Sequence, residues 1–377
     1  MKLGLWYVES PFVSSHEKES GVSDDLLVDN FVEEVCLAEN CGFEEVMASE
    51  HHFSEVWWPS PLIVALAAAL RTTRIKVGTS VALMPLYNPV RMAEEAAMVD
   101  VLSKGRLILG VGQGYRPPEF SAFATPLELR GRRTEEGVKI IRRLWTEENV
   151  NIKSKHWPGM EIRNETLVPR PVQKPRPPIW IAGWAGEKGV RRAARLVATG
   201  NGIDKWFADT LGFPEMRKML APYVDELKKF GKDFSEDTSP ILMDEAYVNA
   251  SDEATAWEEV KPHLMHTYRV YQEWSHYPPD LTGETTERDR DYMKLKLDEI
   301  VTSTVKPRMI LGPPDSCIEK IDRWQKEFKI NHLVLRIHQH GLAHAKILEE
   351  IQLFGQKVIP YFKDQDISVT RSVKAKA

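Results

Sequence analysis

Eight short apolar runs punctuate the 377-residue chain, each followed by a turn and then by a segment whose apolar residues recur at helical spacing. The runs are Leu3–Val8, Phe43–Ala48, Ile75–Met84, Arg106–Val111, Ile179–Ala182, Gly202–Trp206, Leu242–Val248 and His332–Ile337. Strands that alternate with helices make a parallel sheet. Eight of them suit closure into a (β/α)₈ TIM barrel of the α/β class better than an open sheet. The helix starts carry physical signals. Ser60-Pro61 and Asn88-Pro89 each set a capping side chain before a proline at the first helical position. Gly42 supplies a stop after Leu26, Leu27, Phe31, Val35 and Ala38.

The punctuation also sets the domain expectation. Residues 1–363 form a single barrel domain, with a charge-rich insertion at about 276–307 before the last strand, a possible lid. The tail 364–377 is expected to be disordered. The proline-rich stretch from Asn149 to Pro178 is a loop or carries edge strands. At Leu311-Gly312-Pro313-Pro314-Asp315 another strand–turn–helix signal appears, with Asp315 as a helix cap rather than an acid catalyst.

Composition excludes several classes. Three cysteines, Cys36, Cys41 and Cys317, give no disulfide framework and no zinc-ligand spacing. The net charge of −5, with no basic stripe interleaved with aromatics, argues against nucleic acid as a partner. The longest apolar stretch, Leu62–Leu70, is too short to cross a membrane, and the apolar start is too short for a signal peptide. The expected location is the cytoplasm.

Active sites of such barrels lie at the C-terminal ends of the strands. After the second run comes Glu50-His51-His52-Phe53. Imidazoles titrate near neutral pH, so two histidines beside a carboxylate make a candidate acid–base group. The alternative is a surface loop with satisfied histidines. A metal would need a third ligand, for which His338, His340 and His344 are the candidates, and no metal is expected. Gly78-Thr79-Ser80-Val81 places small residues toward the mouth, either to admit a flat ring or as an inner packing layer. Gly110-Val111-Gly112-Gln113-Gly114-Tyr115-Arg116 is not a dinucleotide fingerprint, because Pro117-Pro118 interrupts the approach to the helix. Close approach of the backbone to a ligand accounts for its glycines.

Ala182-Gly183-Trp184-Ala185-Gly186-Glu187 puts small residues at a helix N-terminus, where backbone N–H groups and the helix dipole favour a phosphate. In the run Arg130-Gly131-Arg132-Arg133, one arginine, with Arg132 as the candidate, could reach that phosphate, though most such runs are solvated faces. Trp57, Trp58, Tyr87, Tyr115 and Trp184 suggest an aromatic-lined pocket for a long-chain or cyclic carbonyl. Met92, Ala96, Met98 and Val99 mark either barrel-facing core or a surface for a partner helix.

These pieces, in this order and spacing over most of the chain, resemble the bacterial-luciferase-like flavin-dependent oxidoreductases. They are Glu50-His51-His52-Phe53, Val77-Gly78-Thr79-Ser80, Asn88-Pro89-Val90-Arg91, and Asp100 to Arg106 leading into Gly110-Val111-Gly112-Gln113-Gly114. Further on come Pro169 to Pro175, Pro177 to Gly183, Gly312-Pro313-Pro314-Asp315 and Val358-Ile359-Pro360. The resemblance implies reduced FMN as a loosely held cosubstrate supplied by a flavin reductase, O₂ as oxidant, a C4a-peroxyflavin and a homodimer. It implies that His51 is the acid–base catalyst with His52 and Glu50 beside it. Thr79 and Ser80 would lie on the flavin-ring strand, often with a non-prolyl cis peptide. Gly112, Gln113 and Tyr115 would line the cofactor, and Ala182, Gly183 and Trp184 would form the phosphate turn. Light-emitting large subunits carry a cysteine and an arginine where this chain has Gly112 and Gln113, which weighs against light emission. Two alternatives stay open: an F420-dependent oxidoreductase on the same barrel, and a non-catalytic flavin-binding subunit.

Overall fold

A computed structural model describes residues 1–7, 24–54, 57–183, 186–200, 202–209, 212–275 and 296–363. Trp184 and residues 276–295 and 364–377 therefore lie outside the described residues, together with most of the expected insertion and the whole expected tail.

Eight parallel strands close the barrel. They are β1 (Lys2–Tyr7), β2 (Glu45–Ala48), β3 (Lys76–Leu83), β4 (Leu107–Gly112), β7 (Ile179–Ala182), β8 (Lys205–Asp209), β9 (Ile241–Val248) and β11 (His332–Arg336). The order β9-β11-β1-β2-β3-β4-β7-β8 returns to β9 through the β8–β9 pairing. The proline-rich stretch carries an antiparallel hairpin of β5 (Val150–Lys153) and β6 (Glu161–Glu165). The additional strand–turn–helix signal is β10 (Ile310–Gly312), paired with Ala246–Val248 at the end of β9.

Helices alternate with these strands: α1 (Asp24–Cys41), α2 (Pro61–Arg71), α3 (Pro89–Leu102), the short α4 (Pro117–Ala122), α5 (Arg130–Thr146), α6 (Gly186–Ala198), α7 (Phe213–Lys229), α8 (Glu253–Ser275), α9 (Leu297–Ile300), α10 (Pro314–Phe328) and α11 (His344–Leu353). Asn88 caps α3 by accepting from the N–H groups of Val90 and Arg91. Gly42 ends α1 at φ +89°, a conformation that costs glycine little.

Side chains of one strand alternate between two cores. Leu5, Val46, Val77, Leu109, Ile179 and Leu335 face outward against the helices, which answer with Phe31, Val35, Ala68, Ala96 and Ile141. Trp6, Met47, Ile108, Trp180, Phe207, Met243 and Val334 fill the barrel. Met92, Ala96 and Val99 belong to the outer core, and only Met98 of that group is exposed.

Three expectations shift. The sixth strand begins at Lys205 rather than Gly202. Gly202 is a turn at φ +98°, and the Asp204 carboxylate accepts from the Ile179 N–H and the Arg176 guanidinium before the strand starts. Asp315 lies inside the first turn of α10, whose cap is Pro313. The later part of the expected insertion is core, with Ile300, Val301 and Val305 buried against Leu264 and Tyr268 of α8.

The β3–β4 contact positions the mouth. The register of β3 shifts between Thr79 and Ala82, and the Ser80–Val81 peptide is cis. A Cβ on Gly110 would stand 2.0 Å from the Thr79 carbonyl oxygen, and one on Gly112 would stand 2.4 Å from Val81 Cγ2. What approaches these two glycines is therefore strand β3, and no ligand is needed to account for them.

Candidate active site

At the C-terminal end of β2, a glutamate from outside the motif organises Glu50-His51-His52. Arg116-Pro117-Pro118 opens the short helix α4, and its first turn carries Glu119, fully buried, back beneath the histidines. Glu119 Oε1 accepts from His51 Nδ1 at 2.9 Å, from the His52 backbone N–H at 2.9 Å and from Arg116 Nη1 at 3.0 Å. Arg116 Nη1 also donates to the His52 carbonyl at 2.6 Å. Burial alone would push the Glu119 carboxyl up. The His51 hydrogen bond and charge, the His52 N–H and the Arg116 guanidinium outweigh it and hold the carboxyl below its usual range.

A carboxylate only accepts, so His51 Nδ1 carries a proton and Nε2 is the acceptor of the neutral ring. His52 Nε2 in turn donates to Glu50 Oε1 at 2.8 Å, and Glu50 Oε2 accepts from the Leu83 N–H at 2.8 Å. Burial, joined by the Glu50 carboxylate, raises the Tyr87 phenol well above its ordinary value. The paired motif thus splits. His51 is held through Nδ1 by Glu119, while His52 and Glu50 tie the loop to β3.

Aromatic rings enclose His51. Its ring centroid lies 4.7 Å from Trp274, 5.4 Å from Trp57 and 5.6 Å from Tyr115. Phe123 packs on His52 at 4.5 Å. Of the aromatics expected to line a pocket, Trp57 and Tyr115 are here. Trp58 packs instead against Phe31 in the outer core, and Trp184 lies outside the described residues.

The other expected cofactor residues distribute unevenly. Thr79 is buried and donates to the Gly110 carbonyl at 2.6 Å. The Ser80 hydroxyl is buried and finds no hydrogen-bond partner among the described residues. Gln113 is half-buried just beyond Gly112. Ala182 and Gly183 end β7, and the Gly183 carbonyl accepts from Trp206 Nε1. The space beside Gly186 and Gly189 at the start of α6 is open. Arg132 is exposed on α5, whereas its neighbour Arg133 is buried and stacks on Trp157 at 4.6 Å. His338 and His344, the candidate extra metal ligands, hold Glu34 of α1 instead, at 3.1 and 3.0 Å. Among the described residues no group of three histidine, cysteine or acidic side chains is placed to hold a metal ion, and no helix is long and apolar enough to cross a membrane.

Glu119, Arg116 and Trp274 were not singled out from the sequence. The available signal for Glu119 was an acid three residues after an arginine, inside a proline-initiated turn at a strand end.

A closed eight-stranded parallel barrel with a histidine–carboxylate group at its C-terminal mouth has the architecture of many enzymes. The family described as luciferase-like monooxygenase matches residues 1–328, and the chain belongs to it. Its relatives include the oxygenase component of a flavin-dependent trigonelline monooxygenase from Acinetobacter baylyi, 26% identical over 65% of this chain and 66% of that one. They also include an F420-dependent glucose-6-phosphate dehydrogenase from Amycolatopsis mediterranei, 29% identical over 88% of this chain and 93% of that one. Among solved structures, the oxygenating constituent of 3,6-diketocamphane monooxygenase from Pseudomonas putida, in complex with FMN, superposes with a TM-score of 0.73. It is 18% identical and covers 96% of this chain and 98% of that one, a likeness of fold. The family's members are oxidoreductases, which supports an oxidoreductase role here.

Proposed function

We propose that this chain is the oxygenase of a two-component flavin-dependent monooxygenase, which takes reduced FMN from a separate reductase and uses O₂ to oxygenate a small carbonyl-bearing or apolar substrate. The observation that carries the reading is the His51–Glu119–Arg116 group at the barrel mouth: an imidazole with one nitrogen fixed by a buried, ionised carboxylate and walled by aromatic rings. Such an arrangement suits proton management in a water-poor site.

The residues present fit a flavin. The buried Ser80 hydroxyl has no hydrogen-bond partner among the described residues, and Thr79 and Ser80 sit where β3 bulges at the mouth. Gly112, Gln113 and Tyr115 lie at and just beyond the end of β4, the strand paired with β3. The start of α6 after Ala182 and Gly183, with Gly186 and Gly189 unobstructed, suits a phosphate, and Trp184 follows Gly183 in the sequence. When bound, reduced FMN supplies the two electrons that activate O₂. His51 then holds or moves a proton through Nε2. Glu119 keeps the ring oriented, and Arg116 keeps Glu119 ionised. Trp57 and Trp274 exclude water from the imidazole.

The long match to the F420-dependent dehydrogenase favours one second reading, hydride transfer with F420 on the same barrel. Anaerobic titration with reduced FMN and with F420, followed by mixing with oxygenated buffer and an aldehyde or ketone, separates the two. Saturable binding of reduced FMN and one O₂ consumed per product support the monooxygenase. Binding of F420 alone, with no oxygen uptake, overturns it.

The homodimer is proposed on the exposed apolar side chains Ile63 and Leu70 of α2 and Met98 and Leu102 of α3, helices that pack side by side.

A further inference from the structure

Tyr268, Tyr271 and Trp274 recur at intervals of three along α8 and share one face of that helix. Their surroundings differ. Tyr268 is an anchor. Its hydroxyl donates to Glu245 and accepts from Arg308, inside a buried group in which Arg308 also reaches Asp244 at 2.7 Å and Arg336 reaches Glu245 at 3.2 Å. Leu264 and Val260 add an apolar footing beside it. α8 is therefore held down without help from its last turn.

That last turn carries Trp274, whose indole lies against the proposed acid–base residue. Its ring stands 4.7 Å from His51, 4.6 Å from Trp57 and 5.8 Å from Tyr271, and the Arg116 guanidinium carbon stacks 3.8 Å from its centroid. His51 has no need of an indole for its orientation, since Glu119 already fixes Nδ1. The aromatic faces here meet at tilted and edge-on angles rather than forming a smooth tube.

We infer that Trp274 is a specificity-determining residue, which walls the substrate pocket beside His51 and selects compounds whose reactive carbonyl is carried on a flat ring over those that carry it on a flexible chain. This rests on the monooxygenase reading for the identity of the substrate carbonyl. Each favourable ring–ring contact adds about 0.5–1.5 kcal/mol beyond buried area, which is about two- to tenfold in affinity. A flexible chain gains none of this and loses its rotamers on binding. Arg116 already covers one face of the indole at contact distance, which leaves its edge and other face to meet a substrate ring. Arg116 Nε is itself buried and has no hydrogen-bond partner among the described residues, so the wall includes a donor for an oxygen on the ring.

The test is calorimetric binding of two unreactive carbonyl probes, benzamide and hexanamide, to the full-length protein and to Trp274→Ala and Trp274→Phe. The expected result is a preference for benzamide of about tenfold in the parent, falling to about threefold or less in Trp274→Ala and returning in part in Trp274→Phe, as loss and recovery of ring contacts require. A parent with no preference overturns the inference, and so does a preference that survives in Trp274→Ala. Thermal melting of each variant identifies one that has simply failed to fold, and the Phe variant then carries the comparison. Oxygen uptake with reduced FMN on the same preparations reports separately on the monooxygenase reading, so the two can fail independently.

Discussion

Glu119 and His51 are 68 residues apart in sequence and 2.9 Å apart in the fold. A positioned acid–base group contributes about 10²–10⁴ in rate, so His51→Ala is expected to lower kcat by that order while the fold survives. Product formation with reduced FMN measures it, and unchanged turnover would mark the chain as a non-catalytic subunit. Glu119→Gln keeps the shape but removes the charge that stabilises a protonated His51. It is expected to lower kcat by roughly tenfold, because the ring loses the charged acceptor that orients Nδ1. Equal kcat would mean that the carboxylate is only structural. From the sequence, the Glu50-His51-His52 motif was visible because its residues are adjacent and of the right chemical types. Glu119 was not, because Arg116-Pro117-Pro118 reads as punctuation until the short helix it starts is seen to turn inward.

The contact of β3 with β4 depends on missing side chains. Gly110→Ala would drive a Cβ into the Thr79 carbonyl, and such overpacking typically costs about 1–3 kcal/mol. A lowered melting temperature would register it, and an unchanged one would mean that the strands can part freely. A second element-level device joins α1 to the loop before α11. Burial would raise the Glu34 carboxyl, but the charge of His338 and the hydrogen bonds of His338 and His344 bring it down to about 2. The Glu34 hydrogen bond, against a smaller burial effect, raises the His344 imidazole. A depressed carboxyl gives stability that is present above its unfolded value and is lost as pH falls through its folded value. A raised imidazole gives stability that is present below its unfolded value and is lost as pH rises through its folded value. Melting temperature should therefore peak between about pH 4.5 and 6.5, and Glu34→Gln should flatten both limbs. A flat profile in the parent protein would remove this latch as a source of stability. None of this network was readable in sequence, where His338 and His344 looked like candidate metal ligands. Their partner is supplied by a helix about 300 residues earlier.

At the scale of the whole molecule, the exposed face of α2 and α3 bears on assembly. Combining Ile63→Glu with Met98→Glu is expected to turn a dimer into a monomer by light scattering at micromolar concentration without lowering the melting temperature of the barrel, since both side chains are exposed. A parent that is already monomeric would remove the dimer from the proposal. The barrel itself was readable from local chemistry. Runs with strand character and segments of helical period are properties of neighbouring residues, and Pro61, Asn88 and Gly42 mark boundaries through their own backbone preferences. The strand at Ile179–Ala182 lies where the pattern put it. The strand after Gly202 came three residues late, because a tertiary contact of Asp204 with Ile179 and Arg176 decided where it could begin. Sequence alone thus determined the alternation, the barrel and the strand ends at which to look for chemistry. Only closure of the ring decided that Gly110 and Gly112 serve β3, that Glu119 and Arg116 brace His51, and that Trp274 at the end of α8 faces the same imidazole. Periodicity is written between neighbours, whereas a site is made by side chains that become neighbours only when the first strand meets the last.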